Sequence, residues 1–234
     1  MKTEELLARR TDLSTFLVHL TRTTPEGTAE QKLKGIFDQR KILARTPFGS
    51  AVKPLKRKGV STESQRAVCF TETPIEHVGL LTETLEGRDC QFEPYGIALT
   101  KLQGRSRGVN PVWYVDITPG HDWLMKPVNE MIDAAIQSGT IEIAAISKLA
   151  PFIEQMGSGY GYKKEFWWER EWRHVGDFDL PYPVIGLCPA EKIEEFKSIN
   201  EKPWPGVLFV DPRWSLEKII GSLAGIGPSD LGPL

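Results

Sequence analysis

The chain has 234 residues, with 29 Lys+Arg against 31 Asp+Glu and a net charge of −2. A chain of this length buries about 70–75% of its unfolded surface, so its fold needs no disulfide or metal staple. Hydrophobic residues at 40% and charged residues at 26% exclude wholesale disorder and a fibrous repeat, and near-neutral charge confines any nucleic-acid binding to a local patch.

Residues 4–12 read as a short leading helix. Thr15 to Thr21 (TFLVHLT) reads as a strand, because β-branched and aromatic residues dominate it. Pro25 and Gly27 mark a turn, and residues 28–39 carry Leu33, Ile36 and Phe37 at helical spacing. Lys41 to Leu43 resumes extended structure. Two prolines, two glycines and the run Lys53-Pro54-Leu55-Lys56-Arg57-Lys58 predict a long exposed loop over 46–64. A strand at 66–72, a helix after Pro74, and strands at 95–101 and 111–116 follow. Residues 123–138 and 141–156 both show helical apolar spacing. A Gly/Tyr hinge at 157–162 leads to a tryptophan-rich strand from Glu165 to Val175. The chain ends in a strand at 183–187, a helix at 190–198, a strand at 206–210, a helix at 214–222 and a Gly/Pro tail. Strands spread from end to end predict one mixed α+β domain over 1–234, with a helical insertion at about 122–156.

The three cysteines (Cys69, Cys90, Cys188) share no C-x-x-C spacing and fit neither a disulfide framework nor a zinc site. The four histidines are scattered, so no metal is expected. No apolar run approaches a membrane span, and Met1-Lys2-Thr3-Glu4-Glu5 lacks the apolar core of a signal peptide; the expectation is a cytoplasmic protein with no membrane partner. Phosphate-loop, nucleophile-elbow, zinc-protease and dinucleotide-fold motifs are all missing.

Three segments stand out for the polar groups they carry. On the first strand, His19 and Thr21 project from one face, which by itself reads as an edge position with two satisfied hydrogen bonds. In Val68-Cys69-Phe70-Thr71-Glu72-Thr73-Pro74, Thr73 and Glu76 suit a capping box, which leaves Thr71 and Glu72 at a strand end without a role. In Glu165-Phe166-Trp167-Trp168-Glu169-Arg170-Glu171-Trp172-Arg173, a strand places Glu169, Glu171 and Arg173 on one face. Two carboxylates there repel unless Arg173 or a ligand compensates.

The order FLVHLTR, VCFTETP, YGIALTK, NPVWYVD, EREWR resembles the AbiGi-type abortive-infection proteins of bacterial phage defence. A more distant likeness runs to DarT-like ADP-ribosyltransferases, which open on a strand with H-x-T and place a catalytic glutamate late, after a flexible loop. That resemblance implies an ADP-ribosyltransferase-like fold, with a split antiparallel β core and flanking helices. It implies an NAD-dependent transferase of anti-phage defence that modifies nucleic acid, RNA or DNA. Breaking the nicotinamide–ribose bond of NAD develops positive charge on the ribose, and a carboxylate such as Glu171 stabilises it. Arg45 is the candidate transferase arginine, pairing with the pyrophosphate. His19, Thr21 and Thr71 would complete the NAD site. Tyr160 and Tyr162 would stack on a target base, with Lys163 and Lys164 near its phosphates and Glu169 beside the acceptor. Two alternatives stand beside this: a non-enzymatic, antitoxin-like partner of an abortive-infection system, and an NAD glycohydrolase. A cognate antitoxin or chaperone protein is an expected partner. The basic run at 53–58 is expected to guide an anionic partner.

Overall fold

The computed structural model describes residues 11–84, 91–159, 162–200 and 204–226, with the side chain of Tyr162 outside that description. The predicted leading helix and the C-terminal tail fall largely beyond these limits. The fold is mixed α+β, and the chain divides into two compact units: residues 1–41, 70–104 and 179–234 form unit 1, and residues 42–69 and 105–178 form unit 2.

Unit 1 is built on β1 (Phe16–Leu20), β5 (Gly96–Thr100), β12 (Ile185–Leu187) and β13 (Leu208–Val210). β5 lies between β1 and β12, antiparallel to both, with Val18 opposite Ala98 and Ile97 opposite Gly186. β13 runs parallel to β12 at the edge. Alternation along β13 sends Phe209 to one face and Val210 to the other. Phe209 meets Phe37 of α1 (Ala29–Gln39) and Phe196 of α6 (Ile193–Asn200). Val210 joins Val78, Leu81 and Leu187 beneath Ile219 of α7 (Leu216–Leu223). Only glycine fits at 186, because a Cβ there would stand 2.1 Å from the Phe209 ring. α1 starts where predicted, and its cap is reciprocal: Thr28 Oγ1 accepts from Gln31 N, and Gln31 Oε1 accepts from Thr28 N.

Unit 2 holds β3 (Thr46–Pro47), the first residues of β4 (Arg66–Thr71), β10 (Glu171–Val175) and β6 (Asn110–Pro111). β3 pairs with β4, and β10 pairs with β6, Trp172 lying opposite Pro111. A second sheet joins β7 (Trp113–Asp116) parallel to β8 (Ile153–Gly159), which pairs antiparallel with β9 (Tyr162–Lys164). Helices α2 (Val52–Arg57), α4 (Met125–Gln137) and α5 (Ala145–Leu149) pack Leu55, Val128, Ile132 and Ile146 against Val115 and Ile153. A short α3 (Lys101–Arg105) follows β5, and β2 (Lys41–Ile42) and β11 (Phe178–Asp179) are two-residue strands.

Several predicted elements differ; residues 157–159 of the predicted hinge, for one, continue β8. The loop expected over 46–64 contains α2, because Pro54 sits in the first helical turn, where an absent N–H costs nothing, and Gly59 terminates the helix at φ +67. The helical pattern at 141–156 ends at Leu149, and Ile153 onward becomes β8. Thr73 does not cap a helix: its hydroxyl meets Thr71 Oγ1 at 2.7 Å, and Pro74 leads into a 3-10 helix, Ile75–Thr82, with no side-chain cap bond. No helix among the described residues is long and apolar enough to cross a membrane.

Candidate functional site

The tryptophan-rich segment is not one strand. Trp167–Glu169 forms a 3-10 turn, and Arg170 takes the left-handed conformation at φ 47, ψ 53 before β10 begins at Glu171. A non-glycine residue held there stores strain on the order of 1–2 kcal/mol. The turn removes Glu169 from the predicted shared face, whereas Glu171 and Arg173 keep theirs.

Arg173 compensates the carboxylate, as the spacing required. Its Nε donates to Glu171 Oε1 at 3.0 Å and its Nη2 to Glu171 Oε2 at 2.7 Å, a two-pronged pair. Nη2 also reaches Glu154 Oε2 at 2.7 Å, and Nη1 donates to the Pro151 carbonyl. The guanidinium lies 4.8 Å from the centre of the Phe48 ring. Glu154 in turn binds Lys164 across the β8–β9 hairpin. Arg173 is 2% exposed, so these charges cancel inside unit 2 rather than in water.

Burial opposes ionisation of Glu154, but Arg173 and Lys164 together hold its carboxyl below the usual glutamate value. Burial also works against the Arg173 charge, yet Glu171 and Glu154 keep its pKa above the ordinary arginine value. The Cys69 thiol beside this pair is pushed well up, first by burial and then by the Glu171 charge, so it is no ready nucleophile. Tyr114 completes the frame: its hydroxyl oxygen accepts from Glu171 N at 2.8 Å, and burial pushes its pKa up.

Above this buried clamp the aromatic turn faces water. Trp167 is 39% exposed and Trp168 47%. Tyr114 meets Trp167 edge-on at 5.9 Å, and Phe166 meets Trp168 edge-on at 6.3 Å. Rigid, half-exposed aromatics on a fixed backbone are the usual anchors of protein interfaces.

The predicted site residues divide between the units. His19, Thr21 and Thr71 belong to unit 1. His19 packs edge-on against Phe70 at 5.9 Å. Thr21 is buried, with Oγ1 3.0 Å from the Ala29 carbonyl and 3.1 Å from that of Tyr95. Thr71 accepts from Thr73 N at 3.1 Å, and Glu72 pairs with Lys101 at 2.7 Å. Arg45, Glu169, Glu171, Lys163 and Lys164 belong to unit 2, Arg45 and Lys163 exposed. Tyr160 lies outside the described residues; Tyr162 is placed as backbone in β9. Arg173, Glu154 and Tyr114 complete the cluster and were not singled out as site residues. Arg173 was visible in EREWR as a compensating charge, while Glu154 was hidden by the helical pattern around it. No group of three or more His, Cys, Asp or Glu is placed to hold a metal ion among the described residues.

A family model described as "Putative abortive phage resistance protein AbiGi, antitoxin" matches residues 41–194. The match covers well over half of the chain and all of unit 2, and it begins after His19 and Thr21. No curated protein and no solved structure matches the chain.

Proposed function

From the premise that this chain belongs to the AbiGi family, we propose that it serves abortive-infection phage defence as an antitoxin that binds and restrains a toxin protein. The observation that carries the proposal is the aromatic turn over the Arg173 clamp. Glu171 is occupied by Arg173 through both oxygens, while Trp167 and Trp168 stand exposed on a backbone fixed by Arg170. The turn is closed by Glu169 N donating to Phe166 O at 3.1 Å and braced by Tyr114 against Trp167, so binding through it costs little ordering entropy.

The test is co-expression of the chain with each protein encoded next to its gene, those that arrest growth on their own serving as candidate toxins. Wild type restores growth and co-purifies with one of them; the Trp167→Ala, Trp168→Ala double variant folds but does neither. Growth that stays arrested by every candidate with the wild-type chain present overturns the proposal.

A second proposal keeps Glu171 as the carboxylate of an NAD-dependent ADP-ribosyltransferase acting on nucleic acid. The aromatic turn directly before Glu171 favours it, as a stacking surface next to the carboxylate in the chain. It requires Glu171 to leave Arg173 when NAD binds. Labelled NAD separates the possibilities: label in RNA or DNA supports the transferase, free nicotinamide without labelled acceptor supports a glycohydrolase, and unchanged NAD leaves the antitoxin.

A further inference from the structure

The basic run predicted as a loop is the end of a fixed helix. α2 is anchored by Leu55, 1% exposed, which joins Ala51, Met125, Val128 and Ile132 in one apolar cluster. Its end is closed by paired backbone bonds, Val60 N to Leu55 O at 3.0 Å and Gly59 N to Lys56 O at 3.2 Å, with Val60 packed on the same cluster. Lys56, Arg57 and Lys58 are therefore presented, exposed, from a backbone anchored by this packing and these bonds. None of the three forms an ion pair with a carboxylate among the described residues. One cation at a helix C-terminus is explained by the helix dipole. Three consecutive cations repel one another, and no contact ion pair among the described residues relieves that repulsion.

We infer that the Lys56-Arg57-Lys58 face of α2 is an electrostatic docking site for an acidic surface of the toxin protein; the inference rests on the antitoxin proposal above and names the chemistry of its partner. A protein is favoured over nucleic acid on two grounds. The whole chain carries a net charge of −2 and a pI of about 6.1, so no broad basic field surrounds the patch. The segment from 50 to 60 contains no aromatic residue on which a base could stack. A compact trio of cations matches a compact acidic patch, and its effect belongs to the encounter step rather than to the lifetime of the complex.

The experiment uses the full chain, the toxin identified by the co-expression test above, and a single-stranded and a double-stranded RNA as probes. The triple variant Lys56→Glu, Arg57→Glu, Lys58→Glu is compared with wild type by stopped-flow association across a salt series, after thermal melts confirm folding. A second variant, with all three changed to glutamine, keeps the question answerable if charge reversal impairs folding. The expected result is an association rate constant lower by about 10–100-fold at low salt, a flattened salt dependence, and a nearly unchanged dissociation rate. An association rate and salt slope equal to wild type overturn the inference while leaving the antitoxin proposal intact. RNA binding lost in the variant with toxin association unchanged also overturns it, in favour of nucleic acid. A wild-type chain that does not bind the toxin at all overturns both.

Discussion

Arg173 concentrates the energetics of unit 2 in one side chain. Its guanidinium supplies bonds to Glu171, Glu154 and the Pro151 carbonyl, and its removal takes the arginine partner from a largely buried Glu171 and leaves Glu154 to Lys164 alone. Arg173→Met is therefore expected to cost about 3–5 kcal/mol, read from urea unfolding of wild type and variant; a cost near zero would mean the cluster is hydrated and loosely held. Glu154 gives the pH dependence its sign. Its folded pKa lies below the ordinary value of 4.5, so the ionised form stabilises the fold above that pH, and this contribution is lost as pH falls through the lower folded value. Unfolding measured down the acid range in wild type and Glu154→Gln should show the loss in the first and a flatter profile in the second. The pairing of Glu171 with Arg173 was legible, because two positions apart on a strand is one face. Glu154 was not, because its partner Lys164 comes from a neighbouring strand and its own strand sits behind a helical apolar pattern.

At the scale of elements, the aromatic turn and α2 share one origin: backbone features that look like interruptions but fix a surface. Arg170 in the left-handed region breaks the strand expected from 165 to 175 and turns Trp167 and Trp168 outward. The tryptophans and phenylalanine of that stretch favour a strand by propensity, and a single positive φ at an arginine has no local signal. Pro54 and Gly59 were read as breakers, whereas the first occupies an orphan N–H position and the second a helix stop. Trp168→Ala should leave stability within about 0.5 kcal/mol of wild type, since the ring is half exposed, yet weaken toxin binding by about tenfold or more. Calorimetric titration beside a thermal melt separates the two effects. A large loss of stability would make Trp168 a packing residue and remove it from the interface.

At the scale of the whole molecule, the α+β class and the strands of unit 1 were readable from period and composition, while β8, the start of β10 and the partition of the chain were not. Units 1 and 2 are each assembled from separate stretches of chain, so no linker marks a boundary. The same long-range assembly explains Thr21. Its projection from β1 was visible in the sequence, while the carbonyls it meets belong to Ala29 and Tyr95, the latter 74 residues away. The family match spans unit 2 in full, which places the residues of the proposed interface inside the stretch that defines the family. The most direct test is an equilibrium titration of the purified toxin with the wild-type chain and with the Trp167→Ala, Trp168→Ala variant. Saturable wild-type binding at or below about 1 μM, weakened at least about tenfold in the folded variant, is the predicted result. Equal binding by both chains, or none by the wild type, would contradict it.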